Sequence, residues 1–159
     1  MVPALTVLTC LVAPAPPSGA DPFNLERFLA AQDAGGTYGQ AVGELRRGRK
    51  AGHWMWFVFP QIAGLGHSPM SQEFGIESLA EAQAYLRHPV LGPRLVECAS
   101  LLVDTPDRSA VQVLGHIDAQ KLRSSMTLFM RAAPEQPLFG QVLDQYFDGR
   151  LDAATDQRV

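Results

Sequence analysis

The chain has 159 residues, 13 Lys+Arg against 16 Asp+Glu, and a formal net charge of −3. That length suits one domain with a sizeable core rather than two, and 47% hydrophobic residues exclude wholesale disorder. The mild acidity weighs against a dedicated nucleic-acid binder, and no apolar run reaches the roughly 18 residues a membrane helix needs.

No charged side chain precedes Asp21. Val2 to Val12 is apolar, and Ala13-Pro-Ala-Pro-Pro-Ser-Gly-Ala20 follows. Ser18 and Ala20 suit signal cleavage, but the start lacks a basic stretch and carries Pro3. Residues 1–20 therefore read as a disordered extension or an early start codon, ahead of a signal peptide. Residues 21–155 read as the domain, and 156–159 as a tail. Cys10 and Cys98 form no metal or disulfide framework. Cys98 lies among apolar residues as a reduced core cysteine would. A cytoplasmic location is expected.

Asp21-Pro22 is expected to open the first helix, with Leu25, Phe28, Leu29 and Gln32 on one face and Gly35-Gly36 as its end. Thr37 is expected to cap a second, where Tyr38, Ala41, Val42 and Leu45 recur at helical spacing. The aromatic run His53-Trp-Met-Trp-Phe-Val-Phe59 is too dense for periodicity to separate helix from strand, and Pro60 ends it. Residues 60–71 read as an ordered loop bearing Gly64 and Gly66. Ser78 and Glu81 fit a capping box for a helix that stops at His88-Pro89. Leu91, Leu95, Cys98, Ala99 and Leu102 mark the next. Thr105-Pro106 is expected to cap a short helix ending near Gly115. Ile117 to Arg131 is expected to be helical with Leu122, Met126 and Phe129 buried. Pro137 should start the last helix, striped by Phe139, Val142, Leu143, Tyr146 and Phe147, with Gly149 as its end. The polar stretch from Arg150 to Val159 reads as loose. With no strand pair and no repeat, the expected fold is an all-α single-domain bundle of about six or seven short helices.

Two segments mix polar groups into apolar surroundings, and such local inconsistency often marks function. In the first, Lys50 to Ser68, His53 stands beside two tryptophans and could act as acid, base or ligand. Trp54 or Trp56 could stack on a flat ring, and Gln61 and Ser68 flank glycines whose backbone N–H groups could hold an anion. In the second, Asp118 to Thr127, Lys121 has Ser124 and Ser125 three and four residues on, with Thr127 beyond. A cation among hydroxyls suits a phosphate or carboxylate. Asp118, one turn before Lys121, could be its ion-pair partner on a solvated helix. A Ser–Lys nucleophile is disfavoured, since no third member and no nucleophile elbow are evident. His53, His67, His88 and His116 lack metal-ligand spacing, so no metal and no cofactor are expected.

The residues from His53 to Gln61, Gly64-Leu-Gly-His-Ser68, Ser78 to Ala82, Tyr85 to Leu95 and Asp118 to Phe129 resemble the signature of the domain of unknown function 1810 family, over about Asp21 to Thr155. The resemblance implies a small, bacterial-type, all-helical domain of unestablished activity. By resemblance the polar signature positions are His53, Gln61, Ser68, Asp118, Lys121, Ser124, Ser125 and Thr127. Some members are labelled calpastatin; such inhibitors are disordered repeats, whereas this chain reads as one non-repeating domain.

The two segments are thus expected to meet at one pocket for a small anionic, phosphorylated or nucleotide-like ligand. Lys121, Ser124, Ser125, Thr127, Gln61, Ser68, Trp56 and Lys50 would bind it, and His53 and Asp118 would supply acid–base function, as in a hydrolase or transferase. The alternatives are a non-catalytic protein-interaction module and nucleic-acid binding through Arg46 to Lys50. Oligomeric state is left open.

Overall fold

Asp21 starts the fold as a side chain rather than as a helix end. In the computed structural model, which describes residues 20–159, its carboxylate accepts the N–H groups of Leu25 and Glu26 at 2.7 and 2.9 Å. The chain between turns through Asn24 at a φ of 52°, so α1 runs from Glu26 to Asp33 rather than from Asp21. The expected leader lies outside the described residues.

A 3-10 turn, Ala34–Gly36, follows. Gly36, left-handed at a φ of 69°, occupies the cap position expected of Thr37, whose hydroxyl instead donates back to the Ala34 carbonyl. Helix α2 covers Thr37–Arg47, and the aromatic run supplies the single turn α3, Met55–Val58. Trp54 and Phe59 flank α3 fully buried while Trp56 stays partly open.

Residues 60–71 are not wholly loop. Ser68 caps the short helix α4, Pro69–Glu73, by accepting the Ser71 N–H. The segment closes on itself where Ile76 donates to the Gln61 carbonyl and Ala63 to that of Ile76, forming an isolated parallel bridge. Gly75 is needed there, because a Cβ would lie 2.9 Å from the Ser71 carbonyl oxygen.

Helix α5, Leu79–Arg87, begins with half of the expected capping box. Ser78 accepts the Glu81 N–H, but the Glu81 carboxylate serves the Glu77 N–H and Arg27 instead. Helix α6, Leu91–Val103, buries the five residues expected of it. Helix α7, Ala110–Leu114, starts at Ser109 in a complete capping box with Gln112, not at Thr105. The Thr105 hydroxyl is spent on the Leu101 carbonyl one turn back. Then come α8, His116–Ala132, and α9, Leu138–Phe147. The stretch expected to be loose carries α10, Ala153–Asp156, whose Thr155 is fully buried.

Helix α8 is the organising element, packed against α5, α7, α9 and α10. Its apolar face enters an aromatic file in which Phe28, Tyr85, Phe129 and Phe139 stack at centroid separations of 5.2 to 5.8 Å. The buried Gln32 is satisfied within this core, donating to Phe57 and Tyr85 and accepting from Arg94. Arg27 ties α1 to the loop before α5 through the carbonyls of Glu73 and Gly75 and the Glu81 carboxylate. Free Cys98 is buried on α6, and burial pushes its thiol up to about 12. The described residues thus form one all-helical domain. None of the described helices is long and apolar enough to cross a membrane.

Candidate functional site

One face of α8 does not enter the core. Ile117, Gln120, Lys121 and Ser124 recur at i, i+3, i+4 and i+7 and line a cleft of about 460 Å³. The opposite wall comes from Trp56 of α3, from Gln61, Ile62 and Gly64 to Gly66, and from Ser71, Phe74 and Gly75. Asp152 and Ala154, from the start of α10, close one end. Such a cleft falls in the ordinary range of small-molecule sites.

Its electrostatic centre is Asp118. This carboxylate takes the Lys50 ammonium at 2.8 Å on one oxygen and the Lys121 ammonium at 3.2 Å on the other. Each ammonium also faces an indole: Lys50 lies 5.0 Å from the Trp54 ring centroid and Lys121 3.7 Å from that of Trp56. Lys50 is nearly buried and donates further to the Gly52 carbonyl, whereas Lys121 fronts the cleft. Because one carboxylate serves two cations, Lys121 keeps part of its charge and its remaining N–H donors for a ligand.

The far end is set by Asp152. Burial alone would push its carboxyl up. Hydrogen bonds from the Thr155 hydroxyl and N–H and from Ser124, with the nearby Arg123 charge, outweigh this and hold it below the usual range. Arg123 lies 3.6 Å from Asp152, and its Nε is buried with no acceptor. Asp152, Arg123 and Gln120 escaped sequence reading. The available signal was the Asp152-x-x-Thr155 spacing of a helix cap, which would have marked the tail as ordered.

The two polar segments do meet along this cleft, through Trp56 and Gln61 on one side and Lys121 and Ser124 on the other. Asp118 and Lys50 stand directly behind Lys121. The other expected site residues are placed elsewhere. Ser125 is fully buried with its hydroxyl unpartnered. Thr127 is equally buried, donating to the Arg123 carbonyl and accepting the Asp152 N–H, so it holds the C-terminal wall in place. Ser68 is an exposed helix cap. His53 is exposed and is not among the residues lining the cleft. The expected basic cluster splits: Arg46, Arg47 and Arg49 are exposed, with Arg46 3.8 Å from Glu97, whereas Lys50 turns inward to Asp118.

The family model described as "Protein of unknown function (DUF1810)" matches residues 22–159. No curated protein matches. Among solved structures, the chain is similar to the conserved hypothetical protein Rv1873 from Mycobacterium tuberculosis, with 51% identity, a TM-score of 0.83, and 86% of this chain and 96% of that chain covered. With nearly its whole described length matched, the chain belongs to the DUF1810 family.

Proposed function

We propose that the cleft binds a small anionic ligand, phosphorylated or nucleotide-like. The observation that carries this reading is Lys121: an ammonium fronting a cleft, seated on an indole and sharing its one carboxylate with a second lysine. Gln61, Gln120 and Ser124 add polar contacts, while Ile62, Leu65, Phe74 and Ile117 offer apolar surface to an uncharged part of the ligand. Binding rather than chemistry is what the lining supports. It includes no histidine, and Asp118 is tied to two cations, a poor position for a base. For a hydrolase or transferase role the lining offers one carboxylate, Asp152, which is engaged by Thr155 and Arg123, and His53 stands outside the lining.

One observation favours a second reading, docking of a protein partner. Ile117 is 70% exposed at the edge of the cleft. A thermal-shift panel of inorganic phosphate, adenosine monophosphate and sugar phosphates separates the two. A ligand at about 100 times its Kd should add about 2.7 kcal/mol of stability. Lys121→Ala should weaken that ligand about tenfold to a hundredfold, the worth of a charge-assisted hydrogen bond of roughly 1.5–3 kcal/mol. An equal shift in both proteins would remove Lys121 from the site. No shift with any of these compounds would favour the docking reading.

A further inference from the structure

The position of Lys121 depends on a run of contacts that begins on another helix. Glu44 of α2 is 1% exposed, a rare place for a carboxylate. Its Oε1 accepts the N–H groups of Ala51 and Gly52, the latter at 2.6 Å, and the Trp54 indole N–H at 3.3 Å. Burial alone would push the Glu44 carboxyl up, but the N–H groups of Gly52 and Ala51 and the Trp54 indole hold it below the usual range. The carboxylate thus gathers the N–H groups of Ala51 and Gly52 and the Trp54 indole on one oxygen, Oε1, while Oε2 is buried without a partner.

That loop in turn holds Lys50. The Gly52 carbonyl accepts from the Lys50 ammonium, and the Trp54 ring lies beside it. Lys50 bonds one oxygen of Asp118, and the other oxygen bonds Lys121 on the Trp56 face. Charges alternate from the buried acid to the cleft: Glu44, Lys50, Asp118, Lys121. Glu44 reaches Lys50 through the Gly52 backbone, and the later links are direct ion pairs; Glu44 and Lys50 come from outside α8, Asp118 and Lys121 from α8 itself. We propose that Glu44 is a positioning residue of the cleft, which through the Gly52 loop, Lys50 and Asp118 sets where the Lys121 ammonium sits on Trp56.

This inference takes its functional meaning from the cleft reading, but its test needs no ligand. The chain has two tryptophans, Trp54 and Trp56, so an amide correlation NMR spectrum of 15N-labelled protein offers two indole N–H cross-peaks, assigned with Trp56→Phe. Glu44→Gln must move the Trp54 peak, since it alters that hydrogen bond directly. The proposal requires that it also move the Trp56 peak, by more than does Val142→Ala, which loosens the core on α9 without touching the run. Lys50→Met, which cuts the run after the loop, should move the Trp56 peak in the same direction. It also serves if Glu44→Gln does not fold. A Trp56 peak that stays in place in folded Glu44→Gln or in Lys50→Met overturns the proposal. If the Trp56 peak moves as expected while phosphate compounds fail to bind, the relay stands and the cleft reading falls.

Discussion

Asp118 holds two ammonium groups at once, Lys50 at 2.8 Å and Lys121 at 3.2 Å, so replacing it with Asn strands both. The side chain of Lys50 is 7% exposed, and those of Asp118 and Lys121 are each 18% exposed, which leaves little room for water to take over. Asn preserves shape but offers one neutral carbonyl to two cations. Breaking a buried ion pair by removing one partner costs about 3–5 kcal/mol, because the remaining charge stays desolvated. Lys50 retains the Gly52 carbonyl and the Trp54 face, which places the expected loss at the lower end, about 3 kcal/mol. In a domain of this size that lowers Tm by about 9 °C. The stranded charge should account for most of the loss, so Asp118→Asn combined with Lys50→Met should recover at least half of it. Urea unfolding and thermal melts of the two single variants and the double variant measure this directly. A loss below about 1 kcal/mol for Asp118→Asn would be the value of an exposed pair. That result, or a double variant no more stable than the single, would refute the reasoning.

Two further changes test the partition of polar groups around α8. Ser125 buries a hydroxyl with no partner, so Ser125→Ala should stabilise by about 1 kcal/mol, removing a desolvated group and adding helix propensity. A thermal melt shifted downward instead would show that the hydroxyl is satisfied in solution. The Asp152 carboxyl is held below its usual value in the fold. The stability it lends is therefore complete above the unfolded value of about pH 3.9 and is lost as pH falls through the folded one. Asp152→Asn should flatten the acid limb of a stability-against-pH curve below about pH 4, and an unchanged acid limb would contradict the Thr155, Ser124 and Arg123 contacts.

Most of the fold could be read from periodicity, and the errors share a cause. Helices α6 and α9 have stripes wide enough to fix both existence and phase: all five expected residues of α6 are buried, as are Phe139, Val142 and Leu143 of α9, with Tyr146 and Phe147 partly buried against the core. Helix starts were less legible because several residues can serve as caps. Thr105-Pro106 and Ser109 both offer one, and the choice rests on Gln112 completing a box at Ser109 while Thr105 bonds back into α6. The site was legible as an oddity of composition, but its geometry was not. Reading Lys121, Ser124, Ser125 and Thr127 as one surface overlooked accumulated rotation. Six positions on a helix turn the chain by about 600°, leaving Thr127 about 120° around the axis from Lys121. The real stripe runs backward through Gln120 and Ile117, one polar and one exposed apolar residue that no motif marks. The cleft's Asp152 wall lies outside any local pattern, since it forms only when α10 returns to α8.

The chain has two lysines, Lys50 and Lys121, against eleven arginines, and the choice of lysine at these two positions has a physical reason. A guanidinium carries five N–H donors in a fixed fork, and burying it requires an acceptor for each. Arg27 meets that demand: three elements supply the carbonyls of Phe23, Asn24, Glu73 and Gly75 and the Glu81 carboxylate. The space around Lys50 supplies two oxygens and an indole face. That set suits a compact ammonium and would leave a guanidinium with unmet donors. Lys121 has even less: one oxygen of a carboxylate it shares with Lys50, and the Trp56 face. An ammonium in that position is under-satisfied on its open side, and the open side is the cleft. The same shortage of partners that excludes arginine from these two positions is what leaves donor capacity for an anion at the second.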